Sequence, residues 1–360
     1  MIHQTVTKQN LYDLTRPELQ QLLQSWGYSR YYTDKVWQGI YRKLVEHTAD
    51  LPNLRPDLQT KLNQEATLFA TTVHTKQQSR DGYTRKFLLN YTDQKAAETV
   101  IMRFHSRRER AEETNRYTAC ISTQVGCAMG CVFCATGQMG FTRHLTAGEI
   151  VSQVLFVQQT LKKQGSELRN IVLMGMGEPL HNYDNTMKAI DILTDHLGLA
   201  LAPRHITLST VGLPHRIRQL ADEQRPINLA VSLHGATDEE RQALVPPAKR
   251  WPLSELLDAC RYYSDTRKRR IFFEWTLIAY ENDTAEQAHA LGQLLQGMAA
   301  HINVIPLNPT EGYGGRPSDP ARVKAFQAIL REYGLPSTVR QRRGIDIAAG
   351  CGQLAVNHEP

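Results

Sequence analysis

Strand-like and helix-like segments alternate from about residue 118 to residue 307, and this alternation restricts the fold more than any other feature of the sequence. Short runs rich in β-branched and apolar residues are separated by longer runs with the apolar spacing of amphipathic helices. The predicted strands cover 118–122, 170–174, 204–209, 227–233, 271–277 and 302–307, and the predicted helices cover 147–163, 185–196, 214–221, 253–263 and 285–298. This order is typical of parallel strands joined by helical crossovers. We therefore predict an α/β protein, with either an open doubly wound sheet or an incomplete barrel.

Polar residues and glycines follow four of the predicted strands. They are Gly177 with Glu178, then Ser209, then Ser232 to His234, and finally Asn308. In both candidate folds, residues at the carboxyl ends of parallel strands face the active site. Each residue alone could be an ordinary turn or cap residue. Four such positions in one series favour a binding site over coincidence.

The segments on either side of this series differ from it. Before it, Thr15-Arg-Pro-Glu18 forms a capping box that opens a helix near 19–26, further helical patterns cover 33–45 and 54–62, and strand-like alternation covers 67–102. After it, a helix near 320–333 and a short strand at 337–340 precede a glycine-rich end. We predict three regions: an accessory helical bundle with connecting strands at 1–95, a core at 96–310 and a C-terminal extension at 311–360.

Composition limits the class of protein. The chain has 360 residues, of which 41% are hydrophobic and 22% charged, as in ordinary globular proteins. No apolar stretch approaches the ~18 residues that cross a bilayer, and the polar start lacks the apolar core of a signal peptide. These features predict a cytoplasmic protein without membrane association. The formal net charge of +6 permits a polyanionic partner but does not require one.

Four of the six cysteines lie within fifteen residues, at Cys120, Cys127, Cys131 and Cys134. The last three form a C-x3-C-x2-C array soon after the first predicted strand. In a cytoplasmic chain of this size, such clustering indicates metal or redox chemistry rather than structural disulfides. A structural zinc site would need a fourth ligand nearby. Three thiolates around a four-iron cluster would instead leave one iron open for a substrate or cofactor.

The array, with Phe133 before its last cysteine, resembles the radical S-adenosylmethionine (SAM) superfamily. The resemblance implies that Cys127, Cys131 and Cys134 hold a 4Fe–4S cluster. It also implies that the open iron binds the amino and carboxylate groups of SAM, and that an electron from the cluster cleaves SAM to a 5′-deoxyadenosyl radical. An electron donor such as flavodoxin would then be a partner.

A longer series of motifs runs through nearly the whole chain. In order they read CISTQVGC at 120–127, FTRHL at 141–145, GMGEPL at 175–180, LST at 208–210, VSLH at 231–234, IPLNP at 305–309 and CGQL at 351–354. Together they resemble the family of RlmN and its relative Cfr, which are RNA-adenosine methyltransferases. The resemblance implies a partial (β/α)6 radical-SAM barrel with a small N-terminal helical accessory domain and a C-terminal extension.

The same resemblance implies roles for single residues. The positions that match SAM contacts are Gly177, Glu178, Ser209, Ser232, Leu233, His234 and Asn308. Cys351 matches the cysteine that receives a methyl group from one SAM and passes its carbon to adenine after a second SAM supplies the radical, so two SAM are used per turnover. Cys120 matches the thiol that releases the product through a transient disulfide. Glu98 matches the residue that takes the ring proton, whereas Cys260 has no partner motif and is interpreted as structural.

Basic runs and the resemblance together bear on the substrate. The runs lie at 103–110, 267–270 and 340–343. The resemblance implies that a monomeric enzyme methylates carbon 2 of an adenosine in 23S rRNA and of the adenosine beside the tRNA anticodon. Gly177-Glu-Pro179 favours this activity over the carbon-8 methylation of Cfr. A non-catalytic Fe–S RNA-binding module, with no use for Cys120 or Cys351, and a radical SAM enzyme for a small molecule or peptide stay open as alternatives.

Overall fold

A computed structural model of the protein describes residues 8–68, 71–105 and 115–356. Within these ranges the strands are β1 (Gln9–Asn10), β2 (Ala66–Thr67), β3 (Thr72–Gln78), β4 (Thr84–Asn90), β5 (Ala96–His105), β6 (Asn115–Cys120), β7 (Gln124–Gly126), β8 (Phe141–His144), β9 (Leu168–Leu173), β10 (Ile206–Thr210), β11 (Asn228–Ser232), β12 (Ile271–Leu277), β13 (Ala300–Pro306) and β14 (Ser337–Val339). The α-helices are α1 (Arg16–Ser25), α2 (Arg30–Gln38), α3 (Pro56–Glu65), α4 (Ala135–Gln138), α5 (Ala147–Lys162), α6 (Tyr183–Thr194), α7 (Pro214–Asp222), α8 (Asp238–Leu244), α9 (Leu253–Arg267), α10 (Ala285–Leu295) and α11 (Pro320–Glu332). The predicted alternation of strands and helices is confirmed.

The largest sheet orders the described strands as β14-β13-β12-β11-β10-β9-β6-β5-β4-β3. From β6 to β14, each strand pairs in parallel with the next. This order follows the chain without the reversal that defines a doubly wound sheet. Crossovers between parallel strands are right-handed in nearly all proteins, so neighbouring strands that follow the chain order favour connecting helices on one face of the sheet. The fold is therefore the partial barrel that the family resemblance implies, and the doubly wound alternative is wrong.

Three antiparallel strands widen the sheet beyond β6. β5 pairs with β6, β4 pairs with β5, and β3 pairs with β4. Strands from the predicted accessory region therefore continue the core sheet. Residue 95 falls in the turn between β4 and β5, where Asn90 pairs with Ala96. At the opposite edge, β14 adds a parallel strand from the predicted C-terminal extension.

The N-terminal helices form where capping and apolar spacing predict them. Thr15 and Glu18 make the complete capping box of α1. The helices dock at the end of α6, where the Trp37 indole and the Arg16 guanidinium donate to Asp195 at 3.1 and 2.9 Å. None of the helices in the three described ranges combines the length and apolar character that a membrane span needs.

Candidate active site

One cavity lies at the carboxyl ends of the parallel strands. Its wall includes Met174 after β9, Ser209 in β10, Ser232 in β11, Thr276 in β12 and Leu307 after β13. Parallel barrels collect functional residues at this edge. The cavity is therefore the place where the strand-end residues predicted from the sequence can meet.

The cysteine array borders this cavity from the loop between β7 and β8. The backbone N–H of Cys127 donates to the Gly140 carbonyl at 2.8 Å, and that of Cys134 donates to the Cys131 carbonyl at 3.1 Å as α4 begins. Gly126, just before the array, has φ +72°, and a Cβ there would overlap the Gly140 carbonyl oxygen. The turn therefore requires glycine, and it leads the chain directly into the array.

The donor set of this loop fits an iron–sulfur cluster. Cys127, Cys131 and Cys134 all line the cavity. Burial raises the pKa of each thiol, that of Cys127 to about 12, and a bound metal centre would reverse this preference by stabilising the thiolates. No three His, Cys, Asp or Glu side chains in the described part of the chain are grouped as ligands of one metal ion. Three thiols around a shared cavity suit a larger centre with several irons.

The turn after β9 is built around two glycines. A Cβ on Gly175 would lie 2.7 Å from the Ser122 hydroxyl, and a Cβ on Gly177 would lie 2.5 Å from the Gln124 Cβ. Gly177 also has φ +100°, which L side chains rarely adopt. Close packing against the segment that follows β6 accounts for both glycines.

Glu178 is buried beside this turn, and both of its carboxylate oxygens accept hydrogen bonds. Oε2 accepts from the Val211 N–H at 2.8 Å, and Oε1 accepts from the Leu180 N–H at 2.9 Å. Burial nevertheless raises the pKa of Glu178 to about 7, because desolvation outweighs these bonds. An ammonium group in the cavity would favour the charged carboxylate. The site therefore suits a ligand with a cationic amine.

Ser209 near the end of β10 and Ser232 at the end of β11 border the cavity, whereas Leu233, directly after β11, does not. Ser209 and Ser232 are half-buried and line the cavity. Leu233 is fully buried in the hydrophobic core, and its N–H donates to the Glu274 carbonyl at 3.0 Å. Two hydroxyl-bearing residues thus border the cavity, while Leu233 supports the strands behind it.

His234 lines the same cavity as a buried, neutral imidazole. Its Nδ1 accepts from the Thr276 N–H at 3.0 Å, and its ring meets Phe133 edge-on with 4.9 Å between the ring centroids. Burial, with a smaller contribution from Arg241, lowers the pKa of His234 to about 3. An imidazole that accepts a backbone hydrogen bond at Nδ1 cannot also carry a proton there. His234 therefore joins the cysteine loop to the strand ends without charge.

Asn308 links the last of these strand ends to the C-terminal loop that carries Cys351. Its Nδ2 donates to the Cys351 carbonyl at 3.0 Å, and its Oδ1 accepts from Arg342 Nε at 3.3 Å. Gly350 packs so closely on this amide that a Cβ would lie 2.7 Å from Nδ2. A glycine before Cys351 therefore lets the loop approach the barrel.

The Cys351 loop also lies directly against the cysteine array. The Ala135 N–H donates to the Gly352 carbonyl at 2.7 Å, and the Thr136 hydroxyl donates to the Leu354 carbonyl at 2.6 Å. Ala135 and Thr136 follow Cys134, the last cysteine of the array. The loop thus folds back over the strand ends and covers the cysteine side of the cavity.

Cys351 lies where this first cavity meets a second one. The second cavity shares Cys351 and Asn308 with the first, and its wall also includes Cys120 at the end of β6. Burial raises the pKa of Cys120 to about 12, with a smaller contribution from Cys351. Cys351 itself is an exposed residue at this junction. The structure therefore brings together two thiols that lie far apart in the sequence.

Glu98 is placed differently. The walls of these two cavities, as bounded by the described residues, do not include it. It is buried on β5, where Oε1 pairs with Lys86 Nζ at 2.8 Å and Oε2 accepts from the Ala355 N–H at 2.9 Å. Burial raises the pKa of Glu98 above its ordinary value, because the opposing effect of Lys86 is smaller. The fold thus brings Glu98 to the C-terminal loop rather than to the cavity shared by the two cysteines.

Glu274 is a candidate that the sequence patterns did not reveal. It is buried on β12 and lines both cavities. Its Oε1 accepts from Asn303 Nδ2 at 2.7 Å and lies 3.4 Å from an Arg340 nitrogen, and burial raises its pKa. The available signal was a carboxylate inside an otherwise apolar predicted strand, because glutamate is rarely fully buried without a partner.

Arginines and aromatic rings stack beside the second cavity, and we call this group the arginine–aromatic cluster. The Arg343 guanidinium lies 4.7 and 5.1 Å from the ring centroids of Phe104 and Tyr83. Arg103 also lies over Tyr83, at 4.8 Å, and Arg116 lies over Phe104, at 5.3 Å. Phe104 and Arg343 line the cavity. Such a surface offers positive charge for phosphates and flat faces for bases.

The three basic runs therefore have different positions. The run at 340–343 borders the second cavity. The run at 267–270 begins at the last residue of α9 and ends just before β12. It therefore lies at the amino end of that strand, opposite the cavity edge. In the first run, Arg103 belongs to the arginine–aromatic cluster, whereas Arg107, Arg108 and Arg110 lie outside the described residues.

Two known families match separate parts of the chain. The Radical SAM superfamily matches residues 121–291, which hold the cysteine array and most of the parallel strands. The Ribosomal RNA large subunit methyltransferase N-terminal domain matches residues 9–68, which hold the three N-terminal helices.

Individual proteins are similar over almost the full length. The chain is 61% identical over 353 residues to the dual-specificity RNA methyltransferase RlmN 1 of Myxococcus xanthus, which covers 98% of this chain and 96% of that protein. It is 51% identical to the probable dual-specificity RNA methyltransferase RlmN 2 of Opitutus terrae, over 96% of this chain and 87% of that protein. The crystal structure of a radical SAM methyltransferase from Sphaerobacter thermophilus superposes with a TM-score of 0.91 at 42% identity, over 96% of this chain and 99% of that one.

Proposed function

Because the chain belongs to the RlmN family of radical SAM RNA methyltransferases, we propose that it methylates carbon 2 of an adenosine in 23S ribosomal RNA and of the adenosine beside the tRNA anticodon. The family uses a 4Fe–4S cluster and SAM. The names of the Myxococcus and Opitutus relatives include dual specificity, which supports two RNA substrates. The Gly177-Glu178-Pro179 turn supports carbon 2 over carbon 8.

The position of Cys351 is the observation that carries this proposal. Cys351 lines the cavity with the three clustered thiols and also the cavity with Cys120. A residue that collects a carbon from SAM and delivers it to a base must face both partners. A cysteine in the wall between two cavities meets that requirement.

We assign the cluster to the three cysteines of the array and SAM to the strand-end residues around the first cavity. The wall residues for SAM are Gly177, Glu178, Ser209, Ser232, His234 and Asn308. The family resemblance adds Leu233, which is buried behind this wall and is not part of it. When bound, the cluster and SAM supply a methyl group and a 5′-deoxyadenosyl radical. The cluster ligands are Cys127, Cys131 and Cys134, whose thiols must be deprotonated to bind iron.

Two of the three remaining cysteines, Cys351 and Cys120, divide the transfer between them. Cys351 accepts the methyl carbon as a thioether, and the 5′-deoxyadenosyl radical would take one hydrogen atom from that carbon. The carbon then bonds to the adenine ring, and the adduct gives up the ring proton to a base and its unpaired electron to the oxidised form of the electron donor. The Cys120 thiolate then attacks the Cys351 sulfur, so an S–S bond forms while the sulfur–carbon bond breaks. The electron pair of the broken bond stays on the carbon, which takes up a proton and leaves as the methyl group of the base. A thiol reductant restores both thiols afterwards. Glu98, which the resemblance assigns to removal of the ring proton, lies outside the wall of the second cavity and lines a separate one with Lys86 and Ala355.

The second cavity suits a base that has been turned out of its stack. Met102 and Phe104 give it apolar surface, and Arg340 and Arg343 give it positive charge. Enzymes that modify a base in folded RNA must unstack the target and hold it in a pocket. The arginine–aromatic cluster would then contact the flanking nucleotides.

The test compares cysteine variants purified from cells. Cys120→Ala should accumulate protein with RNA covalently attached, because the carbon is delivered but the tether is not cut. Cys351→Ala and the double variant should carry no RNA, because the carrier is missing. Cys260→Ala is the matched control, since Cys260 is buried in α9 away from both cavities and should behave like the wild type. Denaturing gels with and without nuclease report the adduct.

Mass spectrometry of RNA methylated by the wild type identifies the carbon that receives the methyl group. Methylation at carbon 8 would instead indicate Cfr-like activity. RNA binding without any methyl transfer would indicate a non-catalytic Fe–S protein. If Cys120→Ala and Cys351→Ala retain RNA equally, the assigned division between the two thiols is wrong.

A further inference from the structure

Arg241 is a buried arginine on α8 without a carboxylate partner. Only 1% of the residue is exposed. Its Nη2 donates to the Val211 carbonyl, whereas its Nε has no hydrogen-bond partner among the described residues. Within the same part of the chain, no aspartate or glutamate forms an ion pair with it. A buried charge is costly unless an opposite charge balances it, so the position of this guanidinium requires an explanation.

The guanidinium lies beside the cysteine array. The N–H of Val132, which follows Cys131, donates to the Leu244 carbonyl at 3.1 Å, so the array packs against the last turn of α8. Burial lowers the pKa of Arg241, and Cys131 opposes this more than Asp238 does. The wall of the first cavity, as the described residues form it, does not include Arg241. Arg241 therefore lies next to the array on the protein side, out of contact with a ligand in the cavity.

The Val211 peptide fixes the guanidinium in this position. Its carbonyl accepts from Arg241 Nη2, and its N–H donates to Glu178 Oε2 at 2.8 Å. Hydrogen bonds that follow one another in this way strengthen each other. The positive charge is thus held behind the cavity, between the cysteine array and the carboxylate proposed to bind the amine of SAM.

We propose that Arg241 supplies the positive charge that balances the iron–sulfur cluster, and that it thereby makes the cluster easier to reduce. The inference rests on the proposed function, because it requires Cys127, Cys131 and Cys134 to bind iron as thiolates. Arg241 acts through its charge and not by contact with the cluster or with SAM. It is therefore a positioning residue.

The charge of Arg241 matters because reduction adds negative charge beside it. The electron donor gives up one electron to the cluster and is itself oxidised by one electron, while no bond breaks and Arg241 keeps its proton. A nearby cation stabilises the more negative form more strongly, and net charge is one of the factors that set the potential of an iron–sulfur cluster. Cys260 cannot balance the guanidinium instead, because burial raises the pKa of this thiol to about 12 and keeps it neutral.

The test uses variants that separate the charge of Arg241 from its hydrogen bond. Arg241→Met removes the charge, Arg241→Gln removes the charge but keeps an N–H donor, and Arg241→Lys keeps the charge. Lys249→Met is the matched control, because it removes one exposed positive charge from the segment that follows α8. Urea unfolding of the metal-free proteins shows which variants are folded, and two neutral variants keep the test valid if one of them is not.

A redox titration of the reconstituted proteins, followed by electron paramagnetic resonance in the absence of SAM, measures the effect. The equilibrium constant for one-electron reduction of the cluster should fall at least about tenfold in Arg241→Met and in Arg241→Gln. This corresponds to a midpoint potential that is lower by at least about 59 mV. Arg241→Lys should lie closer to the wild type than to either neutral variant, and Lys249→Met should equal the wild type.

Three results would overturn the inference. An unchanged potential in both neutral variants would show that the guanidinium does not act on the cluster. An equal shift in Arg241→Lys and the neutral variants would show that packing, and not charge, sets the potential. A shift that appears only after SAM is added would assign the guanidinium to the carboxylate of SAM.

Failure of the proposed function would look different. The potential of the cluster would then depend on Arg241 in the same way, but the wild type would transfer no methyl group to RNA. A wild type that takes up no iron and sulfide on reconstitution would overturn both the proposed function and the role of Arg241.

Discussion

Replacement of Gly177 by alanine tests whether packing of the turn after β9 builds the SAM side of the first cavity. Gly177 has φ +100°, and a Cβ there would lie 2.5 Å from the Gln124 Cβ and 2.8 Å from the Gln124 backbone nitrogen. The same glutamine accepts the Glu178 N–H through Oε1 at 2.9 Å. A shift of Gln124 would therefore move Glu178, the carboxylate proposed to bind the amine of SAM.

The size of the effect follows from two independent costs. A non-glycine residue held at this φ costs ~1–3 kcal/mol of folding free energy. Forcing a methyl group into a packed site costs ~1–3 kcal/mol more. The matched control is Gly165→Ala in the turn after α5, where φ is +65° and a Cβ would meet nothing within 4 Å. Only the ~1–2 kcal/mol of the left-handed backbone applies to Gly165.

Urea unfolding and SAM calorimetry then check the two parts of this prediction. Gly177→Ala should lower the free energy of unfolding by about 1–3 kcal/mol more than Gly165→Ala does. It should also weaken SAM binding by about tenfold or more, as expected when a charge-assisted contact is misplaced, whereas Gly165→Ala should leave SAM affinity unchanged. Equal destabilisation by both variants, or unchanged SAM affinity in Gly177→Ala, would refute the packing argument.

Three further predictions concern the cluster, the RNA surface and a buried histidine. Cys131→Ala should remove the brown iron–sulfur chromophore and SAM cleavage together, measured by absorbance and 5′-deoxyadenosine release; an active, zinc-loaded, colourless enzyme would contradict the assignment. Arg343→Gln should weaken RNA binding while SAM cleavage persists. The slope of the logarithm of the RNA-binding constant against the logarithm of the salt concentration should become smaller by about 0.7–0.9, and an unchanged slope would mean that Arg343 contacts no phosphate. Burial lowers the pKa of His234 to about 3 in the folded protein. As pH falls from 7 to 5, His234 is therefore protonated in the unfolded state but not in the folded state. The free energy of unfolding of the apoprotein should therefore fall by about 2 kcal/mol relative to that of His234→Asn over this range. Urea unfolding at each pH measures it, and equal pH dependence of the two free energies would contradict a buried neutral imidazole.

The repeating part of the fold could be predicted because its signals are local. The predicted helix at 147–163 corresponds to α5 (Ala147–Lys162), and the predicted strand at 271–277 coincides with β12. Each segment carries its own apolar period, and burial in the sheet agrees with it. The short helix α8 and the β7–β8 hairpin were not predicted, because seven residues or fewer do not establish a period. The pairing of β3 to β5 with the core sheet was also missed, since strand pairing is not a local property.

The residues of the site also differ in whether their placement depends on local or on distant parts of the sequence. The cysteine array is compact in sequence, so its spacing predicts a shared centre, and all three cysteines line one cavity. Glu98 and Glu274 depend on distant partners instead. Glu98 meets Lys86 and the C-terminal loop, whereas Glu274 lies in the wall between the cavities. Neither placement follows from the residues adjacent to these glutamates, because tertiary packing decides which buried carboxylate faces which cavity.

The same packing explains why Arg342 is a poorer probe of RNA binding than Arg343, although both belong to one basic run. Arg342 Nε donates to Asn308 Oδ1 at 3.3 Å, and Asn308 in turn holds the Cys351 carbonyl at 3.0 Å. Neutralising Arg342 would therefore disturb the loop and the proposed SAM site together with any phosphate contact. Arg343 stacks on Phe104 and Tyr83 at the edge of the second cavity, so its loss leaves the Asn308 bonds in place. Substitution of Arg343 therefore tests the RNA surface alone, whereas substitution of Arg342 also perturbs the loop that carries Cys351.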